Sequence, residues 1–186
     1  RLAGTVRHPR AACRGRGLRL IETPIGGAFV IEIEYVEDDR GFFARTYCDD
    51  QLGALLPHIA QSSISFNPQR GTLRGMHYQR APHGEAKLVR CTRGAIYDVI
   101  IDLASARWFG VELRPDNQRL LYVPEGLAHG FETLEANTEV SYQISAKYHP
   151  EAADGVRWND SAFGIRWPLE PSLLSERDRS WPDFTP

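Results

Sequence analysis

The sequence predicts an all-β fold of two packed sheets, closed as a jelly roll or a barrel. From about residue 18, short runs of β-favouring residues alternate with turns rich in Gly, Pro, Asn and Asp, about every ten residues. Helical periodicity is scarce, and a chain of 186 residues has room for one domain with a real core. Many short strands in a chain of this size hide their edges by packing into two sheets or by closing into a barrel.

Each predicted strand is a run of β-branched, aromatic or aliphatic residues bounded by turn residues. Two short segments, residues 48–56 and 172–178, have the spacing of helices instead. Residues 150–186 are rich in Trp, Pro and Asp and alternate little, which predicts an ordered segment wrapped over the barrel. In chain order, the strand candidates are residues 18–21, 28–35, 42–46, 59–66, 72–78, 86–92, 95–102, 108–113, 120–123, 130–133 and 138–144.

The first seventeen residues differ in composition from the rest of the chain. They carry five arginines and no apolar segment, so they do not form a secretory signal. This composition favours a leader or a disordered extension left from cloning over a basic arm for nucleic acid. We therefore expect a single domain over residues 18–186.

Charge and cysteine content narrow the function classes. A formal net charge of -2 gives no basic field that would attract nucleic acid. The sequence contains no run of about 18 apolar residues, the length that a membrane-spanning helix needs. The three cysteines, Cys13, Cys48 and Cys91, form no CxxC or other zinc-typical spacing. An odd number of cysteines favours a reducing compartment, and we expect the cytoplasm.

The densest polar cluster within a predicted strand holds Arg74, His77 and Gln79. Because side chains alternate along a strand, His77 and Gln79 share a face. A single histidine in such a strand is more often a hydrogen-bonded core residue than a catalytic one. In the next strand, Lys87 is either a solvated edge residue or a cation fixed inside the barrel, where it could stabilise an oxyanion.

A second motif bears on metal binding. The run PEGLAH, which ends at His129, resembles the second motif of the cupin superfamily, in which this histidine binds a metal. His77 matches the first histidine of the first cupin motif, but Gln79 replaces the second histidine. Glu85 does not stand at the position of the motif's glutamate. Lys87 would also repel a cation. We therefore expect no metal at this site, with a metal-binding cupin as the alternative.

Six motifs together resemble the dTDP-4-dehydrorhamnose 3,5-epimerase family, in order from about residue 18 to 178. The resemblance implies a cupin-type jelly roll that works as a homodimer. It also implies inversion of C3 and C5 of dTDP-4-keto-6-deoxyglucose, without metal or organic cofactor. The motifs are DRGFF at 39–43, RGMHYQ at 74–79, EAKLVR at 85–90, YVPEG at 122–126, AHGF at 128–131 and WND at 158–160.

The same resemblance implies residue roles. His77 is the base and Asp178 its carboxylate partner, Lys87 stabilises the enolate, and Tyr142 is the acid on the opposite face of the sugar. The implied substrate-binding residues are Arg40, Gln61, Arg74, His129, Tyr148 and Arg177.

Two positions depart from the family pattern. Arg45 stands where many members have a glutamate, and Ser63 stands where many have an asparagine. Nucleotide and sugar specificity therefore stay open. A single-carbon epimerase and a module that binds a nucleotide sugar without catalysis are the further alternatives.

Overall fold

The structure is a computed structural model that describes residues 17–185, and these form thirteen strands and two short helices. The predicted leader, residues 1–17, lies outside the described residues except for Gly17. The Gly17 N–H donates to Glu34 Oε2 (2.7 Å), and the Gly17 carbonyl accepts the Glu34 N–H (3.0 Å). The elements are β1 (Leu18–Glu22), β2 (Phe29–Ile33), β3 (Tyr35–Asp38), β4 (Gly41–Ala44), α1 (Asp49–Leu52), β5 (Gln61–Asn67), β6 (Leu73–Gln79), β7 (Lys87–Arg93), β8 (Ile96–Asp102), β9 (Arg107–Leu113), β10 (Arg119–Val123), β11 (Ala128–Thr133), β12 (Thr138–Ile144), β13 (Ala153–Gly155) and α2 (Glu176–Arg179).

Two antiparallel sheets form the body of the protein. The six-stranded sheet has the order β1-β2-β10-β7-β12-β5, and the five-stranded sheet has the order β13-β6-β11-β8-β9. Neighbours such as β2 and β10 are far apart in sequence, so long connections cross between the sheets as in a jelly roll. The predicted all-β, two-sheet architecture is confirmed. None of the helices in residues 17–185 is long and apolar enough to span a membrane.

The main core lies between the two sheets. Val89, Leu121 and Val140 of the six-stranded sheet form one buried cluster with Ile100 and Phe131 of the five-stranded sheet. Side chains alternate along each strand, so the intervening residues point to the outer faces of the sheets. The two sheets thereby enclose the apolar side chains of the inner faces.

The outer face of the six-stranded sheet is also covered, which explains why β10 is apolar at consecutive positions. Leu121 and Val123 belong to the central core, whereas Leu120 and Tyr122 pack outward in a cluster with Leu52 of α1. A strand that is buried on both faces shows a continuous apolar run instead of alternation.

The C-terminal segment covers the outer face of the five-stranded sheet. Val156 and Phe163 of this segment form a buried cluster with Met76 and Val99. The predicted wrap over the barrel is therefore present. The wrap also supplies β13, which pairs with β6 and which the sequence does not predict.

Both predicted helices are shorter than expected. α1 ends at Leu52, and the following four residues form turns and irregular backbone. α2 begins only after Ser175, whose side chain accepts the Asp178 N–H. Its predicted first residues cannot be helical because Leu173 forms a parallel bridge with Thr72 and accepts the Leu73 N–H.

The predicted strand 28–35 divides into β2 and β3. After β2, the chain leaves the large sheet and forms a hairpin of β3 and β4, which pair only with each other among residues 17–185. The hairpin exposes four large apolar side chains and has Arg40 in its turn. These exposed side chains are Tyr35, Val36, Phe42 and Phe43.

Candidate active site

An open pocket of about 710 Å³ lies between the two sheets, in the size range of small-molecule sites. Its walls come from β5, β7 and β12 of one sheet, from β6 and β11 of the other, and from the segment around α2. Nine of the ten predicted site residues line it: Gln61, Arg74, His77, Lys87, His129, Tyr142, Tyr148, Arg177 and Asp178.

His77 and Asp178 form a hydrogen-bonded pair. His77 Nε2 lies 2.6 Å from Asp178 Oδ1, with the histidine partly open to the pocket and the aspartate buried. Burial alone raises the pKa of Asp178, but hydrogen bonds from His77 and Ser175 outweigh it, and the net pKa lies below its usual value. Asp178 is therefore ionised at neutral pH and accepts the Nε2 proton. In the neutral ring this leaves the lone pair on Nδ1 of His77.

Tyr142 stands on the opposite sheet from His77. Its strand, β12, runs between β7 and β5, and its hydroxyl lies 3.3 Å from Ser65 Oγ. Burial raises the pKa of Tyr142 well above its usual value. The phenol therefore keeps its proton at neutral pH and is able to donate it. The pocket thus has a histidine on one wall and a protonated tyrosine on the other.

Lys87 is an inward-facing cation, but it is not alone. Its Nζ lies 2.9 Å from Glu85 Oε1, and both side chains are nearly buried. The other oxygen of Glu85 accepts a hydrogen bond from Gln79 Nε2 (3.1 Å). The sequence pattern left open whether Lys87 faces solvent or the inside of the barrel, and it does not reveal the ion pair, because Glu85 precedes β7 and its direction depends on the loop.

His129 has a carboxylate partner, Asp98, that the sequence pattern does not reveal. His129 Nε2 lies 2.7 Å from Asp98 Oδ1, and both residues are buried. Within residues 17–185, the second oxygen of Asp98 has no hydrogen-bond partner. The sequence does contain a signal for this pair: Asp98 is the one charged residue inside the apolar run IYDVII of β8, and a charged residue in a buried strand needs a partner.

Five of the six predicted substrate-binding residues line the pocket. Arg74 donates to Asn67 Oδ1 (2.7 Å), which fixes the direction of its guanidinium. The Arg177 guanidinium carbon lies 5.1 Å from the Trp181 ring centroid, a cation–π distance. Arg40 is the exception: it lies outside the pocket, in the hairpin turn, paired with Asp38 and largely exposed.

The two pocket histidines do not form a metal-type ligand group. His77 and His129 are direct partners in the β6–β11 ladder, so their side chains share a face. Each has its Nε2 bound by its own carboxylate. In the described part of the chain, neither belongs to a group of three or more His, Cys, Asp or Glu ligand atoms that all lie within 4.8 Å of one another.

The fold and the site define a jelly-roll protein with an acid–base pocket whose mouth carries arginines. The chain matches the dTDP-4-dehydrorhamnose 3,5-epimerase family over residues 22–185. A dTDP-4-dehydrorhamnose 3,5-epimerase from Methanothermobacter thermautotrophicus is 41% identical over 174 residues, which cover 88% of this chain and 92% of that protein. The chain belongs to the dTDP-4-dehydrorhamnose 3,5-epimerase family and is an isomerase, as the six motifs indicate.

Solved structures agree with this assignment. The dTDP-4-dehydrorhamnose 3,5-epimerase from Bacillus anthracis, with TDP and PPi bound, has a TM-score of 0.85 and 39% identity, and the match covers 90% of this chain and 99% of that one. A 3'-monoepimerase from Streptomyces bikiniensis, in complex with dTDP-quinovose, has a TM-score of 0.81 and 31% identity, and the match covers 87% and 86%. The predicted jelly-roll fold and epimerase family are confirmed.

Proposed function

We propose that this protein converts dTDP-4-dehydro-6-deoxy-D-glucose to dTDP-4-dehydro-L-rhamnose by inverting C3 and C5, in deoxysugar biosynthesis. One observation carries the proposal: the His77–Asp178 pair and Tyr142 occupy opposite walls of one pocket. Inversion at carbon requires a base on one face of the sugar ring and an acid on the other. The two walls supply both.

The reaction depends on the ketone at C4. Hydrogens on C3 and C5 are acidic because their removal gives an enolate conjugated with that ketone. Nδ1 of His77 takes the proton, and the charge that develops on the imidazolium is stabilised by ionised Asp178. The Tyr142 hydroxyl then donates a proton to the same carbon from the opposite face, and solvent exchange restores both groups.

Lys87 stabilises the enolate oxygen. Its ammonium lies on the inner face of the pocket, where little water competes for a developing negative charge. Glu85 accepts one of its hydrogen bonds and holds it in place, and the ammonium has further N–H donors for the substrate oxygen.

The pocket mouth holds the nucleotide diphosphate. Arg74 and Arg177 supply guanidinium groups suited to phosphate oxygens, and Gln61, His129 and Tyr148 supply further hydrogen-bonding groups. Ser63 lies beside Gln61 on the same wall, so the departure from the family pattern falls within reach of the ligand. The substrate specificity of this chain is decided in part at Ser63.

The protein acts as a homodimer in this proposal, with the β3–β4 hairpin at the interface. An isolated two-stranded hairpin is marginally stable in water, and this one exposes 75% of Phe43 and 54% of Phe42. Seating the hairpin on a second copy buries these rings and carries Arg40 toward the pocket of the partner. We also propose that residues 18–186 act as one domain and that the protein works in the cytoplasm, since the cysteine pattern favours a reducing compartment.

Hydrogen exchange in D₂O tests the proposed reaction. Incubation with dTDP-4-dehydro-6-deoxy-D-glucose should place deuterium at both C3 and C5, as measured by NMR of the sugar. His77→Asn should reduce both rates by about 10² to 10⁴, the contribution expected of a positioned base. His58→Asn, at an exposed histidine outside the pocket, is the control and should keep the wild-type rates. Exchange at neither carbon in the wild-type protein would refute the proposal.

A single-carbon epimerase is the second candidate, because a 3'-monoepimerase is among the similar structures. The same experiment decides between the two. Deuterium at C3 alone, with C5 unlabelled after complete turnover at C3, would favour the single-carbon reaction.

A further inference from the structure

A cluster of two histidines and one glutamate lies outside the residues that line the pocket, in two loops that neighbour them. His83 comes from the loop between β6 and β7, and His149 and Glu151 come from the loop between β12 and β13. Their ligand atoms all lie within 4.8 Å of one another. The two imidazole rings stack with centroids 3.9 Å apart, and His149 Nδ1 lies 3.2 Å from Glu151 Oε1. None of the three has a role in the proposed epimerisation.

A buried amide holds the two loops of this cluster together. Gln79 is 4% exposed, and the two hydrogens of its Nε2 are shared among three acceptors at 3.1 Å, which are the carbonyls of His83 and Lys147 and Glu85 Oε2. Gln79 Oε1 accepts the His149 N–H at 2.6 Å. The backbone positions of both histidines are therefore fixed by one side chain that cannot move into solvent.

Turns fix the remaining backbone of the cluster. In the first loop, the His83 N–H donates to the Arg80 carbonyl (2.9 Å). In the second loop, the N–H groups of Ala152 and Ala153 both donate to the His149 carbonyl, each at 3.0 Å, which folds the chain around Glu151. Three donor side chains thus project from a rigid backbone toward one point.

We propose that His83, His149 and Glu151 bind a divalent transition metal of the zinc class. Two imidazoles and one carboxylate, with a fourth position open to water, form a donor set typical of zinc. Metal bonds of about 2.0 to 2.2 Å place tetrahedral ligand atoms roughly 3.3 Å apart, so small side-chain rotations suffice to close this cluster on an ion.

The surrounding charges permit a cation here. The nearby Arg80 guanidinium pairs with other oxygens than the Glu151 carboxylate: its Nη2 donates to the Glu151 backbone carbonyl (2.7 Å), and its Nε lies 3.6 Å from Asp154 Oδ2. A bound ion would tie the loop between β6 and β7 to the loop that contains Tyr148.

Titration calorimetry with ZnCl₂ on the full chain, stripped of metal with chelator, tests the proposal. We expect one equivalent of Zn²⁺ to bind, and His83→Asn and His149→Asn should each weaken binding about tenfold or more, at least the loss that removal of an outer-shell partner causes. His58→Asn, at an exposed histidine outside the cluster, should bind as the wild-type protein does. Mg²⁺, which prefers oxygen ligands, should not compete.

Co²⁺ substitution provides a second readout that is independent of activity and that reports on the ligands of the ion. The visible absorption of Co²⁺ bound by nitrogen and oxygen ligands should appear in the wild-type protein and in His58→Asn, and should be lost in His83→Asn. Absence of Zn²⁺ binding to the wild-type protein, unchanged binding in both cluster variants, or loss of binding in His77→Asn instead would each overturn the proposal.

Discussion

At the scale of single residues, the catalytic behaviour of this pocket depends on which group carries a proton at neutral pH. Asp178 is ionised because the hydrogen bonds it accepts outweigh its burial, whereas burial raises the pKa of Tyr142 further above the ordinary value at which a phenol already keeps its proton at neutral pH. The same apolar environment thus acts on two acids with opposite results. The difference lies in their hydrogen bonds: Asp178 has charged or N–H partners, and among the described residues the one partner of the Tyr142 hydroxyl is the Ser65 hydroxyl at 3.3 Å.

Tyr142→Phe should separate proton removal from inversion. His77 would still take protons from C3 and C5, but no acid would return them from the other face. We expect product formation to fall by about 10² to 10⁴, while His77-dependent deuterium exchange with retention of configuration persists. NMR of the recovered substrate measures both. His77→Asn is the matched control and should lose both, and equal losses of exchange and inversion in Tyr142→Phe would contradict the assigned roles.

The sequence identifies much of this site because its six collinear motifs resemble one family, and that resemblance assigns the site residues position by position. Nine of the ten predicted site residues line one pocket. Asp98 and Glu85 were missed as partners, since their contacts with His129 and Lys87 depend on strand register or rotamer. The position of Arg40 was also beyond reach, because no local pattern shows that a hairpin leaves the sheet.

At the scale of elements, the strands were predictable wherever alternating polar and apolar residues, or a continuous apolar run, ended at turn residues. The predicted strand 138–144 coincides with β12. β13 was missed because three residues are too few for a pattern, and α2 was misplaced because Leu173 pairs with Thr72. These are tertiary contacts, and they override local preference.

The close approach of β6 and β11 requires a residue without a Cβ at position 130, which sequence patterns do not reveal. A Cβ at Gly130 would lie 2.7 Å from the Arg74 carbonyl oxygen and from Met76 Sδ. Gly130→Ala should therefore force the strands apart and lower the free energy of unfolding by about 1 to 3 kcal/mol. Urea denaturation measures it. Gly26→Ala is the control, because a Cβ there meets nothing within 4 Å; equal stability of the two variants would contradict this packing.

Glu132 links β11 to the C-terminal wrap. It is fully buried, its Oε2 accepts the Leu169 N–H (3.0 Å), and its Oε1 has no partner within residues 17–185. Burial raises its pKa from 4.5 to about 7. At a pH between these two pKa values, Glu132 is protonated in the native protein and ionised in the unfolded chain. The stability contributed by protonated Glu132 is therefore present below about pH 4.5 and is lost as pH rises to about 7.

Glu132→Gln should remove this pH dependence. The amide oxygen can still accept the Leu169 N–H, and the side chain no longer ionises. Relative to the wild-type protein, the variant should gain up to about 3 kcal/mol between pH 4.5 and pH 7.5. Urea midpoints at the two pH values measure the change. Glu22→Gln, on the exposed end of β1, is the control. A constant difference between Glu132→Gln and wild type across this range would contradict the assignment.

At the scale of the whole molecule, the pocket of one chain is incomplete with respect to the predicted binding residues. Arg40 is the one that lies elsewhere, on a hairpin whose apolar side chains lack a cover among residues 17–185. Both facts have the same explanation if the hairpin packs on a second copy. Burial of Phe43 then drives association, and the turn brings Arg40 to the diphosphate of the partner's substrate. Substrate affinity and dimerisation are coupled in such an arrangement.

Complementation between two inactive variants tests this directly. The Arg40→Ala protomer lacks the arginine that would bind substrate in the partner's pocket. The His77→Asn protomer lacks the base of its own pocket. If Arg40 acts across the interface, a mixed dimer has one complete site, in the Arg40→Ala protomer.

Random subunit exchange between equal amounts of the two variants should then restore about a quarter of the wild-type activity, because half of the dimers are mixed and half of the sites in each mixed dimer are intact. Epimerisation at low substrate concentration, after mild unfolding and refolding of the mixture, measures it. If Arg40 acts within its own chain, the mixture stays as inactive as its components, because every site then lacks one of the two residues.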